Sequence, residues 1–344
     1  MFHSAGGGID ESLCSAFKPD GCDVYHMPDD FYSLHLDCLA HKSDDWWWGG
    51  INQLAKEGTE DYDNNQRRLG PNLTPCEKRV MAVVRWVIAR YDIDPNRVYL
   101  CGNSMGGSGT LGIGLRHGDV FAAIKANVPA GTLHAANRIG LLDPLPEGVR
   151  IPDPPICVDY SAQNDQWSVR HDILYNGMED KKYAILGYWG CFGHANKHAD
   201  ICQVNDLIDT FDWISVRKNE AYPVFTNAST DDPLPWPDNV ESEKPGQVNA
   251  YFRWTVHNDS ADIFEIALRL TSAEELKSKI FAAPAESTAD VSFRRLQQFK
   301  VAPGEKVNWS FAGKSGTVTA DGNGLVTVPC LTVKTVPAVL TLTK

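Results

Sequence analysis

Val98-Tyr-Leu-Cys-Gly-Asn-Ser-Met-Gly-Gly107 is the stretch that decides the fold. Val98 to Cys101 suit a short buried strand, and Gly102-Asn103-Ser104-Met105-Gly106 has the form G-x-S-x-G. A serine hydroxyl is a poor nucleophile unless it stands clear of the sheet beside a base, with backbone N–H groups near enough to receive a developing oxyanion. A tight strand-to-helix turn supplies that exposure, and flanking glycines let neighbouring backbone approach without a Cβ in the way.

The surroundings support this reading. Thr74-Pro75-Cys76-Glu77 is a capping box with proline at the first helical position. Val80, Val83, Val84, Val87, Ile88 and Tyr91 follow at helical spacing, and Asp94-Pro95-Asn96 supplies a turn into the strand. After Ser104, the segment Met105–Leu115 is rich in glycine. Each interior glycine costs a helix about 1 kcal/mol relative to alanine, a composition that makes sense if the helix packs very close to the sheet.

Further strands are expected at Phe121–Pro129, Pro155–Tyr160 and Lys181–Trp189, with helices at Arg170–Met178 and Asp200–Ser215. A short strand is also expected at Asp23–Pro28, and Gly131–Asp153 reads as a surface connection. Strands alternating with helices imply an α/β domain built on a mostly parallel sheet with both faces covered. From Pro223 the character changes: proline and aspartate crowd Thr230–Pro245 as in a linker. Short strands then recur from Val248 to Leu342 between turn signals such as Pro303-Gly304 and Asp321-Gly322-Asn323-Gly324, the pattern of a small all-β sandwich. The expected division is an α/β domain at 1–222, a linker at 223–246 and a β-sandwich at 247–344.

A net charge of −12 over 344 residues argues against a nucleic-acid partner. The most apolar run, near Val80–Ile88, is interrupted by Arg85, so no membrane span is expected. No secretory signal is evident, and nine cysteines without a C-x-x-C pair leave the compartment open. Nothing in these motifs calls for a cofactor.

Ser104 needs a base, and the base needs a carboxylate to fix its tautomer. Asp165 and His194 each lie in a loop just past an expected strand, where ligands gather in open α/β sheets. Asp159 is the rival acid but falls inside its strand, and His198 is the rival base; Gly193 favours His194 by freeing the loop backbone. His194 and His198 stand four apart but lack the glutamate of a zinc-protease helix motif, so no metal is expected. His3, His35, His117, His134 and His171 read as structural. Trp46-Trp47-Trp48 reads as either a packed loop or an aromatic wall of the substrate cleft, and Asn103 is grouped with these three as a candidate substrate contact.

Gly102-Asn-Ser-Met-Gly-Gly107, Ser161-Ala-Gln-Asn-Asp165 and Gly193-His194 together resemble the α/β-hydrolase serine esterases related to polyhydroxybutyrate depolymerases, to feruloyl and acetylxylan esterases, and to prolyl-oligopeptidase-type hydrolases. The resemblance covers about residues 1–220. It implies Ser104 as nucleophile, His194 as general base then acid, and Asp165 as its orienting partner. It further implies an oxyanion hole from the N–H of Met105 and a second donor in the Ser4-Ala5 segment. His3-Ser4-Ala5-Gly6-Gly7-Gly8 is similar to the histidine-glycine loop that follows the third strand in that fold. Only two residues precede it, so an N-terminally shortened core is expected, with an exposed sheet edge open to self-association.

The expected activity is hydrolysis of carboxylic esters through an acyl-enzyme, with small-molecule or polysaccharide-linked esters as substrates by analogy with the family. A serine peptidase of the prolyl-oligopeptidase type and an inert, hydrolase-like binding protein are the alternatives.

Overall fold

The computed structural model describes residues 1–17, 28–38, 47, 73–165, 167, 170–194, 206–236, 244–276, 278 and 280–344. The strand expected at Asp23–Pro28 lies outside them in all but Pro28, and Trp46, Trp48 and His198 lie outside them too.

Helix α1 spans Ile9–Phe17 and α2 spans Pro75–Arg90. The α2 cap forms as its sequence demands: Thr74 Oγ1 accepts the Glu77 amide at 3.2 Å, and Val80, Met81 and Val84 turn inward. Strand β1 (Tyr99–Asn103) runs into α3 (Met105–Gly109), which continues as one π-helical turn over Thr110–Gly114. Then come β2 (Ala123–Asn127), α4 (Thr132–Asn137), β3 (Ile156–Ala162), α5 (His171–Asp180) and β4 (Ile185–Gly190). Helix α4 lies in the stretch expected to be a surface connection.

The strands β1 to β4 are parallel and stand side by side in chain order. Beside β1, Phe2 bridges in parallel to Gly102 on one side and to Leu36 on the other, and its amide donates to the Cys101 carbonyl at 2.9 Å. Burial is continuous along β2, β3 and β4, as it must be when both faces of a parallel sheet are covered.

The C-terminal part holds β5 (Tyr222–Thr226), β6 (Gly246–Val248), β7 (Phe252–Asp259), β8 (Ile263–Leu270) and β9 (Glu286–Arg294). Beyond these come β10 (Lys306–Phe311), β11 (Lys314–Thr319), β12 (Thr327–Lys334) and β13 (Ala338–Thr343). They form an antiparallel sheet in the order β11-β10-β13-β8-β7 and a second in the order β12-β9-β5. Phe264 of β8 meets Phe293 of β9 edge to face across the space between them, with ring centroids 5.1 Å apart.

Two strands cross the expected boundaries. Strand β5 falls inside the stretch read as a linker, yet it pairs with β9, Pro223 standing opposite Phe293. A proline suits this place because β5 is an edge strand and its missing N–H breaks no central ladder. Strand β6 falls at the junction with the expected sandwich but closes the first sheet, antiparallel to β4. At three residues it is too short to show any alternation in sequence.

Alternate residues of the parallel sheet enter two separate cores. Leu100, Ile124, Cys157 and Ile185 pack with α2, the π turn, α4 and α5. Val158, Tyr160, Leu186 and Tyr188 pack with Leu207, Ile208 and the C-terminal sheets. Helices therefore cover one face, and most of the other is roofed by β-structure. Arg295 fixes this junction by donating to the carbonyls of Gly118, Phe121 and Ala122 at 2.9 to 3.2 Å.

One buried ion cluster ties α2 to its neighbours. Glu77 is fully buried, takes a hydrogen bond from His117 at 2.9 Å and pairs with buried Arg138. Burial alone pushes the Glu77 carboxyl up, but the His117 hydrogen bond and the Arg138 charge outweigh it and hold the group below its ordinary 4.5. Burial pulls the His117 ring down, yet hydrogen bonds to Asp119 and Glu77 hold it above its ordinary 6.5. The glutamate's contribution is present above pH 4.5 and fades as pH falls through its lowered value. The histidine's is present below pH 6.5 and fades as pH rises through its raised value. Stabilisation from this cluster therefore peaks between those limits. Glu77→Ala is expected to cost about 3–5 kcal/mol, because it removes the carboxylate that balances the buried Arg138 charge. Urea unfolding as a function of pH checks both the loss and the flattening of the profile.

Candidate active site

Ser104 stands at the carboxyl end of β1 with φ 57° and ψ −117°, a conformation that costs a non-glycine residue about 1–3 kcal/mol. Its amide donates to the Asn127 carbonyl at 2.9 Å and its carbonyl accepts the Ser108 amide at 2.9 Å, so the turn is held from both sides. Ser108 Oγ in turn donates to the Ala130 carbonyl and accepts the Ala130 amide, tying α3 to the end of β2. The glycines meet the requirement for close approach. A Cβ on Gly106 would lie 2.1 Å from the Phe2 carbonyl oxygen, and one on Gly102 would lie 2.4 Å from the Gly106 oxygen.

The structure brings Ser104, His194 and Asp165 together. Ser104 Oγ lies 2.7 Å from His194 Nε2, and His194 Nδ1 lies 2.6 Å from Asp165 Oδ2. A carboxylate can only accept, so the ring hydrogen sits on Nδ1 and Nε2 is left to accept from the serine hydroxyl. The Asp165 side chain is fully buried, and its other oxygen accepts the Trp167 amide at 2.8 Å. The His194 side chain keeps 33% of its surface exposed, so its edge stays within reach of an incoming molecule. Gly193 has φ +64°, and its amide donates to Asn164 Oδ1 at 2.9 Å, which joins the two loops that carry the base and the acid.

The rival acid is placed elsewhere. Asp159 is buried inside β3, where it accepts hydrogen bonds from Tyr175 at 2.9 Å and Ser161 at 3.3 Å. Burial pushes its carboxyl up to about 7, against those two hydrogen bonds.

Met105 opens α3 directly after Ser104, so its N–H is among the helix's orphan donors. The Ser4-Ala5 segment lies against the elbow: Ser4 Oγ donates to the Asn103 carbonyl at 3.1 Å and accepts from Asn103 Nδ2 at 3.0 Å. Asn103 Oδ1 accepts from Asn127. With both ends of its amide engaged by protein, Asn103 is a brace for the loop rather than the substrate contact expected. Trp47 is likewise corrected from cleft wall to core. It is fully buried, stacked on Phe2 with centroids 4.1 Å apart, and its indole N–H points to the His3 carbonyl at 3.4 Å.

His3, read from the sequence as structural, is buried and braces the start of the Ser4-Ala5 segment. Its Nε2 lies 2.9 Å from the Cys38 amide nitrogen and 3.1 Å from Asp37 Oδ1, and its Nδ1 lies 2.8 Å from the Ser4 carbonyl oxygen. The Gly7 amide reaches the same carbonyl at 3.2 Å. Among the described residues no group of three His, Cys, Asp or Glu side chains could hold a metal ion, and no helix is long and apolar enough to cross a membrane.

A model of the prolyl oligopeptidase family matches residues 58–138, a segment that includes α2, β1, the Ser104 turn and β2. No curated protein matches the chain. The family match supports the α/β-hydrolase superfamily and serine hydrolase chemistry, and it does not separate peptidase from esterase.

The contact at Gly106 can be tested directly. Gly106→Ala is expected to destabilise the protein by about 1–3 kcal/mol or more, since neither the Phe2 backbone nor the turn can yield without losing its hydrogen bonds. Urea unfolding of the variant measures this, and an unchanged midpoint would show that the close approach is not structural.

Proposed function

We propose that the protein is a serine carboxylesterase that works through an acyl-enzyme. The observation that carries this is the unbroken chain of hydrogen bonds from Asp165 through His194 to Ser104, at 2.6 and 2.7 Å. His194 Nε2 takes the hydroxyl proton as Ser104 Oγ attacks the acyl carbon, while Asp165 holds the ring in place and stabilises the imidazolium. The oxyanion is received by the N–H of Met105 and by a second N–H from the Ser4-Ala5 segment, which His3 and Gly7 hold through the Ser4 carbonyl. His194 then gives its proton to the departing alkoxide. In the second half, the same nitrogen takes a proton from water as it attacks the acyl carbon, then returns it to Ser104 Oγ as the acyl–serine bond breaks and the acid is released.

The assembled triad favours catalysis over an inert binding role. The choice of esters follows the resemblance of the Ser104, Asp165 and His194 segments to the polysaccharide and polyester esterases. A peptidase is the second reading, favoured by the family match at 58–138. In either case the two C-terminal sheets form a β-sandwich that roofs the core, and acyl or feruloyl esters on plant polysaccharide are the proposed natural substrates.

Ser104→Ala is expected to abolish hydrolysis of a short p-nitrophenyl ester and labelling by a fluorophosphonate, with the circular dichroism spectrum unchanged. Undiminished turnover would remove the assignment. Asp165→Asn should lower kcat by roughly 10⁴-fold, the loss expected when the base is held in the wrong tautomer. Comparing kcat/KM for that ester with a proline p-nitroanilide separates the two readings: preference for the anilide makes the protein a peptidase.

A further inference from the structure

A cavity of about 110 Å³ opens at the seam between the parallel sheet and the C-terminal strands, well apart in the fold from the loops that carry the triad. Asn249, 7% exposed, is among its lining residues. The Asn249 Nδ2 group donates to two carbonyls, Phe225 at 3.1 Å and Ile185 at 3.3 Å, which fixes which end of the amide is which. Its Oδ1 is then left buried with no hydrogen-bond partner among the described residues. A buried acceptor in that state is costly unless something in the cavity donates to it.

Three carboxylates line the same space: Glu179, Asp231 and Asp232. Each is positioned by a backbone N–H that engages one of its oxygens. Asn227 donates to Glu179 at 2.6 Å, Asn249 to Asp231 at 2.7 Å and Gln247 to Asp232 at 3.1 Å. Among the described residues no lysine or arginine lines it. Burial, with Glu179 and Asp232 adding like charge, pushes the Asp231 carboxyl up to about 7. Acceptors thus line the cavity, and among the described residues its wall supplies no cation to meet them.

The remaining wall decides what kind of cation fits. Tyr175, Phe225, Leu234 and Val248 give one side an apolar and aromatic surface, which suits hydrocarbon or the face-on approach of an ammonium group. Among the described residues, no three acid, histidine or cysteine side chains stand close enough together to hold a metal ion. A bare divalent ion would also leave the apolar wall without a partner. We propose that this cavity binds a primary alkylammonium group, with the –NH₃⁺ donating to Asn249 Oδ1 and the Asp231 and Asp232 carboxylates and the alkyl stem lying along Phe225 and Leu234. An ammonium brings three donors and one positive charge, matching the unsatisfied amide oxygen and the acidic wall together.

The test is thermal unfolding of the full chain titrated with n-butylammonium chloride and, separately, with Nα-acetyl-lysine methylamide. Sodium chloride and calcium chloride at matched ionic strength serve as controls. A saturable rise in Tm with either amine, absent with sodium chloride, is the expected result. A response to butylammonium alone identifies a free amine as the ligand, and a response to the lysine derivative identifies a lysine side chain. Asp231→Asn should raise the half-saturating concentration by about tenfold, equivalent to about 1.4 kcal/mol. If that variant does not fold, Asp232→Asn gives the same reading from the other carboxylate. No saturable rise, a rise unchanged in both variants, or a rise with calcium alone would overturn the proposal. Because the titration reads binding rather than turnover, its outcome is independent of the role assigned to Ser104.

Discussion

The contact between the Phe2 backbone and Gly106 is the constraint on which the site depends. Ser104 adopts an unfavourable backbone conformation, and such residues persist only where their surroundings over-determine them. Here three backbones meet with no side chain between them: Gly102 at the end of β1, Gly106 in the first turn of α3, and Phe2 beside both. The Phe2 ring is clamped by Trp47, and its amide is tied to Cys101. Trp47 therefore serves the site indirectly, by fixing the strand position from which the Ser4-Ala5 segment departs. The turn that displays the hydroxyl and the loop beside it share one packing arrangement, so neither can relax without moving the other.

The parallel sheet sets the remaining distances. The serine, acid and histidine leave from the ends of β1, β3 and β4. Adjacent strands lie about 4.8 Å apart, so the end of β4 is roughly 14 Å from the end of β1. His194 reaches Ser104 only because its loop turns back across the strand ends. The positive φ of Gly193 allows that reversal, and the bond from its amide to Asn164 moors the loop to its neighbour. Burial of Asp165 completes the arrangement: its two oxygens are committed to the His194 ring and the Trp167 amide, which leaves the ring one orientation.

Much of this was legible in the sequence because it depends on local chemistry. The Thr74 cap, the strand into Ser104 and the loops after β3 and β4 each carry a signal within a few residues, and Gly193 marks its own turn. Long-range choices left no such trace. His3 gains its role from Cys38, a contact invisible to spacing arguments. Three consecutive tryptophans read equally as wall or core, and for Trp47 the stack on Phe2 settles the matter. Asn103 lies inside the motif, so proximity to Ser104 suggested substrate, whereas its amide is committed to Ser4 and Asn127.

The domain boundary was the least legible feature, and the reason lies in how the sheet is covered. Alternation of strand and helix says that both faces of the sheet are covered, not what covers them. Val158, Tyr160, Leu186 and Tyr188 point away from the helices into a core completed by Phe252, Phe264 and Leu268. Without the C-terminal strands those side chains would face water, so the two halves share one hydrophobic interior rather than meeting at a linker. The exchanged strands follow from this. Strand β6 caps the edge of the parallel sheet next to β4, and β5 joins the sheet of β9, so the chain passes between the two layers more than once. A proline-rich segment that spans two layers looks like a tether in sequence, because edge strands and turns tolerate the same residues that linkers use.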